Sequence, residues 1–324
     1  MTNLEAWAVD GIGEVTDATD LGAVLCALDL RDGDITLVTS KVVSKAEGRV
    51  RPGGRDAAIA EETVRVVARR GPTVIVENRL GLVMAAAGVD ASNVAPGTVV
   101  LLPTDPDATA RALRGRVHHE TGHNVAVVIT DTAGRAWRTG QADLAVGVAG
   151  LEPLDDHAGR TDSYGNPLAV TAPAVADELA SLAELVTGKL GGRPVSVVRG
   201  LGDRVLPVGE HGPGARALIR ARREDMFALG ARAAVVAAVR GRDHDCFGTA
   251  AEPAEMLRAL ESCGLTGSVE GVSVRVRLPD ALREQVAAVE RVRLLAHAHA
   301  WRPHSDTATP REGARHVTIS PVHP

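Results

Sequence analysis

The run Ser40-Lys41-Val42-Val43-Ser44-Lys45-Ala46-Glu47-Gly48-Arg49 sets two lysines and two serines directly behind an apolar stretch, Ile35-Thr36-Leu37-Val38-Thr39. An ammonium on a flexible stem acts as a point charge toward phosphate oxygens, and serine hydroxyls add donors without adding repulsion. The chemistry these residue types suit is the binding of a polyanion at a strand end, with phosphate the first candidate. A second reading stays open on the same residues: lysines on a solvated edge discourage strand pairing, and Glu47 neutralises one of them. The segment is not a P-loop, because Gly-x-x-x-x-Gly-Lys-Ser/Thr does not occur in it.

Two acidic loops complement the lysines. In Ala87-Gly88-Val89-Asp90-Ala91-Ser92-Asn93, Gly88 permits a tight backbone, and Asp90 and Asn93 can face one small volume. In Asp131-Thr132-Ala133-Gly134-Arg135-Ala136-Trp137-Arg138, the aspartate follows the apolar run Val125 to Thr130, and Arg135 and Arg138 supply cations for a carboxylate or phosphate substrate. Magnesium or manganese on a nucleotide takes one or two protein carboxylates, with phosphate oxygens and water completing the octahedron. Asp90 and Asp131 can fill that part, although either can instead close an Asx-turn on its own backbone. The glycine-rich run Thr187-Gly188-Lys189-Leu190-Gly191-Gly192-Arg193-Pro194 completes the set of parts that a metal-nucleotide site requires. The polar stretch His157 to Asn166 adds Asp162, which can orient an arginine or stand near a second metal. Asp177 and Glu178 read as favourable charge at a helix N-terminus.

These residues need a scaffold to converge. With 324 residues, 45% hydrophobic and 24% charged, the chain can bury a substantial core in two domains. A net charge of -5 gives no global attraction for nucleic acid or an acidic membrane, and 2% aromatic content argues against a base-stacking platform. A small anionic ligand is therefore expected, with no nucleic acid and no membrane as partner. Cys26, Cys246 and Cys263 are too scattered for a disulfide framework or a zinc site. The start, Met1-Thr2-Asn3-Leu4-Glu5, has no secretion signal and no apolar run reaches spanning length, so a cytoplasmic location is expected.

β-rich runs at 35–39, 73–76, 81–84, 98–102, 125–129 and 195–198 alternate with helical spacing at 57–69, 108–120 and 174–186. This predicts an α/β body of mixed, α+β character. The Gly-Pro-rich segment Leu206 to Gly214 reads as a boundary between domains at 1–212 and 213–324. Beyond it, helices at 215–240, 253–262 and 281–300 and strands at 272–278 and 317–320 predict a small α+β extension with no catalytic constellation. His297, His299 and His304 fit surface or packing roles better than a metal cluster.

The motifs Lys41 to Arg49, Ala87 to Asn93, Asp131 to Arg138 and Ala176-Asp177-Glu178-Leu179-Ala180, in this order, resemble the coenzyme F420-0:L-glutamate ligases, a likeness that runs from about residue 8 to 202. The resemblance implies a two-subdomain γ-glutamyl ligase-like fold with mixed sheets, in an intertwined homodimer. It implies a GTP-dependent ligase that joins L-glutamate to the deazaflavin coenzyme F420-0 through an acyl phosphate, releasing GDP and phosphate, and then adds further γ-linked glutamates. Carried over by position, Asp90 and Asp131 match ligands of Mg2+ or Mn2+, with Thr132 beside a second metal and K+ a further candidate ion. Ser40, Lys41, Lys45 and Asn93 match GTP contacts, as does the stretch Ile12, Gly13, Glu14 and Val15, where the family usually has proline at the position of Gly13. Gly188, Lys189, Gly191 and Gly192 match another nucleotide-contact region, and Lys189 falls near where some members place an acidic metal ligand. Some relatives carry a flavin-binding reductase domain; the segment after Gly214 is too short for it, so neither FMN nor a reductase activity is expected. A related amide ligase for a different carboxylate, and a GTP-binding module without chemistry, stay open as alternatives.

Overall fold

The computed structural model describes residues 3–304 and 315–322; Met1 and Thr2, part of the start read for a secretion signal, lie outside them. The chain divides into two compact units, Met1–Ile219 and Arg220–Pro324. The first begins with β1 (Glu5–Ala8), α1 (Leu21–Cys26), β2 (Ile35–Thr39) and α2 (Ser40–Ala46), followed by β3 (Val50–Pro52) and α3 (Arg55–Glu62). Next come β4 (Thr63–Arg70), β5 (Thr73–Asn78), β6 (Val83–Ala85) and β7 (Thr98–Val100). The unit closes with α4 (Pro106–Thr121), β8 (Ala126–Gly134), β9 (Gln141–Ala149), α5 (Val175–Thr187) and β10 (Val195–Arg199). The fold is thus mixed α/β, with mixed and antiparallel sheets.

Its centre is a five-stranded sheet in the order β1-β10-β2-β8-β9. Only β2 and β8 run parallel; the other neighbours are antiparallel. Side chains alternate between the faces of a strand, so Val127 and Ile129 join a core with α1, α2 and α4, while Ala126 and Val128 join a second core with α5. Apolar residues on both faces explain why β8 reads as a continuous run and not as an alternation. The β8–β9 register shifts by one residue between Ile129 and Thr130: Ile129 faces Gly147, but Thr130 faces Ala145, leaving Val146 as a bulge. α5 holds this irregularity, because Asp177 accepts the Ala145 amide at 2.8 Å and Ser181 donates to the Asp143 carbonyl at 3.0 Å. Asp177 is therefore a tie between α5 and β9, and burial pushes its carboxyl pKa up. Beside the bulge, a Cβ on Gly147 would stand 2.5 Å from the Pro106 carbonyl oxygen. Gly147→Ala is expected to destabilise the protein by about 1–3 kcal/mol through this backbone clash; an unchanged thermal midpoint would contradict the packing.

A satellite subdomain carries the Asp90 loop. The β4-β5-β6 sheet and the β3-β7 pair share a core with α3 that includes Ile59, Val76, Val89, Val99 and Leu101. The helix expected over 57–69 ends at Glu62, and Thr63–Arg70 forms a strand instead. Thr63, Val64, Val66 and Val67 are β-branched, and such side chains fit a pleated surface better than a helix.

The Gly-Pro segment is packed as part of the first unit. Arg114 of α4, 2% exposed, directs its guanidinium to the carbonyls of Val125, Leu206, Pro207 and Glu210 and to Asn124 Oδ1. Gly150 and Leu206 add backbone bonds, Gly150 N to His211 O at 2.8 Å and Leu206 N to Gly150 O at 2.9 Å. Burial, together with Arg114, lowers the His211 pKa, and a neutral ring leaves Nδ1 free to accept from the guanidinium at 3.2 Å.

The second unit contains α6 (Ala231–Arg240), α7 (Pro253–Ser262), β11 (Thr266–Glu270), β12 (Ser273–Arg277), α8 (Leu282–Ala298), β13 (Trp301–Pro303) and β14 (His316–Pro321). Its antiparallel sheet, β11-β12-β14-β13, packs Val274, Val276, Val317 and Ile319 against Met256, Leu260 and Val292 of the helices. The helix expected over 215–240 forms only from Ala231; short 3-10 turns at Ala215–Leu218 and Arg222–Glu224 precede it. His297 is 4% exposed and bonds the Arg242 carbonyl through Nε2 at 2.9 Å, a packing role. No described helix is long and apolar enough to cross a membrane.

Candidate active site

The parallel register pairs Thr39 with Thr130 and stops there, where β2 ends and β8 runs on. The next residues, Ser40 and Asp131, meet: Ser40 Oγ donates to Asp131 Oδ1 at 2.7 Å. Asp131 lies within β8, which runs on to Gly134, and not in a loop after the strand. The lysine run forms helix α2, which places Lys41 and Lys45 one turn apart on a shared face. Ser40 is 3% and Lys45 9% exposed, so this is no solvated edge.

Each lysine has a carboxylate partner. Lys41 Nζ lies 2.6 Å from Asp90 Oδ2 and 2.8 Å from Ser92 Oγ, while Lys45 Nζ lies 2.5 Å from Glu14 Oε1. Ile12 and Val15 pack on the core that α2 shares, which brings the 12–15 stretch and Lys45 together; Gly13 beside them is exposed. Glu47 does not hold the lysines. It accepts instead from Thr104 N and Thr109 Oγ1, at 2.8 and 2.7 Å, because it sits past the end of α2 near the start of α4.

Asp90 is fixed by its backbone, which exchanges hydrogen bonds with Val100 at 3.0 and 2.9 Å. Just before it, Ala86, Ala87 and Gly88 have φ of 55, 57 and 78°, a left-handed run that alanine adopts at a cost. Backbone strain therefore sits directly ahead of a carboxylate. Ser92 closes an Asx-turn on Asp90, donating from N and Oγ at 2.8 Å each. Burial opposes ionisation of Asp90, but Lys41 and the Ser92 donors outweigh it and hold the carboxyl pKa at about 2. Asp131 goes the other way. Desolvation at the strand end outweighs the Ser40 hydrogen bond, the charges of Asp143 and Asp90 add to it, and the pKa rises to about 6.

Asp143 is absent from the residues read as functional in the sequence. It is 6% exposed, accepts from Thr132 Oγ1 at 2.7 Å, and has Thr130 Oγ1 at 3.4 Å. The available signal is one carboxylate in an otherwise uncharged strand, Gln141–Ala149, since a buried charge needs partners. Lys189, in the turn after α5, donates from Nζ to Thr132 Oγ1 at 2.8 Å. In that turn Gly188 and Gly192 have φ of 65 and 63°, and a Cβ on Gly191 would stand 2.5 Å from Thr187 O.

Among the described residues, Arg135, Arg138, Asn93 and Asp162 form no hydrogen bond or ion pair with this cluster. Arg135 and Arg138 are exposed in the β8–β9 turn, where Arg135 bonds the Thr139 carbonyl at 2.9 Å. Asn93 is exposed with φ of 55°. Asp162 organises its own turn, accepting from Tyr164 N, Asn166 N and Asn166 Nδ2.

Among the described residues no group of three His, Cys, Asp or Glu side chains is arranged to hold a metal. A divalent ion would draw on Asp90 and Asp131 and complete its shell from nucleotide and water. The donors fit such an ion: both are hard oxygens, and the charge of Asp90 helps to raise the pKa of Asp131, a repulsion that a cation would relieve.

Residues 55–200 match the family described as F420-0:Gamma-glutamyl ligase. The chain is 39% identical over 219 residues to the coenzyme F420:L-glutamate ligase of Archaeoglobus fulgidus, which covers 61% of this chain and 88% of the relative. It is also 39% identical over 237 residues to the protein of that name from Methanopyrus kandleri, covering 66% of this chain and 93% of the relative. The corresponding Methanothermobacter thermautotrophicus protein is 38% identical over 222 residues, covering 61% and 86%.

Proposed function

The chain belongs to the F420-0:gamma-glutamyl ligase family, and on that premise we propose that it joins L-glutamate to coenzyme F420-0, with GTP as phosphoryl donor, and then adds further γ-linked glutamates. The observation that supports this most directly is the meeting of Ser40, Lys41, Asp90 and Asp131 at the carboxyl end of the parallel pair β2–β8, the place where open α/β sheets bind ligands.

Lys41 and Lys45 neutralise phosphate charge from one helix face, and Ser40 and Asn93 add polar contacts. The 12–15 stretch follows Lys45 through Glu14, and the Gly188 to Gly192 turn borders the nucleotide from the α5 side. Arg135 and Arg138 receive the carboxylates of acceptor and glutamate. The γ-phosphoryl group passes to the terminal carboxylate of the acceptor, giving an acyl phosphate and GDP. The amine of glutamate then attacks the acyl carbon, and phosphate leaves. Charge neutralisation and alignment suffice for both steps, with no covalent enzyme nucleophile. An Mg2+ or Mn2+ ion held by Asp90 and Asp131 would supply further stabilisation of phosphoryl charge when bound. We take the working form to be a cytoplasmic homodimer, with K+ as a candidate accessory ion.

The test is incubation with F420-0, L-glutamate, GTP and Mn2+, followed by mass spectrometry. Glutamylated F420 and stoichiometric GDP are expected; GTP hydrolysis provoked only by another acid would overturn the choice of substrate. Lys45→Met keeps much of the buried stem and removes the charge. It is expected to weaken GTP binding by about ten- to a hundredfold, the loss of one charged hydrogen bond, and an unchanged affinity by calorimetry would refute the role.

A further inference from the structure

The end of β8 has two chemically different faces. Asp131 projects on the side of Val127 and Ile129, toward α2, and bonds Ser40 there. Thr130 and Thr132 project on the opposite side, the layer of α5. The bulge in β9 places Asp143 opposite Thr132, and so on this second side.

The turn after α5 delivers Lys189 to the same side, and a chain of hydrogen bonds results: Lys189 Nζ to Thr132 Oγ1 at 2.8 Å, then Thr132 Oγ1 to Asp143 Oδ1 at 2.7 Å. A hydroxyl has one proton and two acceptor sites. The Thr132 proton serves Asp143, and one acceptor site serves the lysine. Asp143 is buried against threonine hydroxyls, and a buried carboxylate with neutral partners calls for a nearby cation. Lys189 is that cation, one hydroxyl away. A second metal at Thr132 does not fit this arrangement, since a divalent ion would share a single oxygen with an ammonium of like charge.

We infer that Lys189 is the fixed cation of the α5 side of the site, so that the chain takes one divalent ion, at Asp90 and Asp131, and none at Thr132. The inference rests on the metal-nucleotide reading of Asp90 and Asp131, and the experiment separates the two. Mn2+ binding to the purified full chain is measured by electron paramagnetic resonance of the free ion, for the wild type, Asp131→Asn, Lys189→Glu, Lys189→Gln and the double variant Lys189→Glu/Thr132→Val. One Mn2+ per chain is expected in the wild type and none in Asp131→Asn. Lys189→Glu is expected to bind a second Mn2+, and the double variant to lose it again. Two ions in the wild type, or one in Lys189→Glu, would overturn the inference and leave the Asp90–Asp131 site standing. No ion in the wild type, or one that persists in Asp131→Asn, would overturn the metal-nucleotide reading itself. Thermal melts accompany each variant; if Lys189→Glu does not fold, Lys189→Gln carries the test, with a weaker second ion expected and a single ion overturning the inference.

Discussion

Asp131→Asn is expected to lower ligase activity by about 10²–10³-fold, the scale of losing one preorganised charge in the proposed phosphoryl transfer, while making the metal-free protein more stable at pH 7. The carboxyl has a folded pKa of about 6, above its unfolded value of about 4. Between those values the folded state binds more protons than the unfolded state, so this group's contribution to stability falls as pH rises. Above pH 6 the full penalty is present, up to about 3 kcal/mol for a shift of this size. Asparagine keeps the shape and an acceptor for Ser40 but has no proton to lose. With metal chelated, the melting temperature of the wild type should therefore fall relative to the variant from pH 4 to pH 7. Added Mn2+ should recover the difference in the wild type alone. A gap between the two proteins that is the same at pH 4 and pH 7 would show that burial of this charge is not the cause. Activity and stability are opposed at this residue, as is common where a site holds charges together before its ligand arrives.

Arg114→Met is expected to be the most damaging single change to the first unit. The guanidinium is buried and meets the carbonyls of Val125, Leu206, Pro207 and Glu210 and the amide oxygen of Asn124. Methionine fills part of the volume and leaves those acceptors with no donor. Losing one member of such a buried network costs about 3–5 kcal/mol, a large share of the stability of a typical domain. Urea denaturation should show a midpoint shift of that size, and proteolysis should open the chain near Leu206 to His211 first. Arg114→Lys should recover little, because one ammonium cannot span acceptors arrayed around a planar fork. A midpoint within 1 kcal/mol of the wild type in terms of stability, as an order-of-magnitude threshold for a surface change, would contradict the role.

The legible part of the fold is where one period dominates. α4 and α5 appear within a few residues of their expected limits, and β10 follows its apolar run. Less is legible where two signals compete. In Ser40–Ala46 the lysines and serines advertise ligand chemistry and mask a short helix whose Val42 and Val43 are core residues. Gln141–Ala149 is rich in alanine and glycine and gives no strand signal of its own; it becomes a strand by pairing with β8 and packing under α5. In the candidate site, Asp90 and Asp131 are legible as carboxylates that flank turn and strand signals, although Asp90 also closes the Asx-turn that its sequence allows. Asp143 and the Lys45–Glu14 pair are not, since each depends on a partner distant in sequence. Leu206 to Gly214 shows the same limit: glycine and proline suggest an unpacked boundary, and one arginine from α4 packs it.

The single extra residue in β9 has a wider consequence. Strand insertions and deletions are usually counted as damage, because a one-residue slip turns every side chain to the wrong face. Here the slip is native, confined to Val146, and it sorts the acidic residues: Asp131 opposes Leu144 on one side of the sheet, and Asp143 opposes Thr132 on the other. With Val146 retained but paired in a regular ladder, Asp143 would stand opposite Ala133, on the side of Asp131. In this hairpin, then, pairing is a chemical variable: whether Val146 is bulged out or drawn into the ladder decides how many carboxylates share one face of the sheet, without exchanging any residue that bears charge.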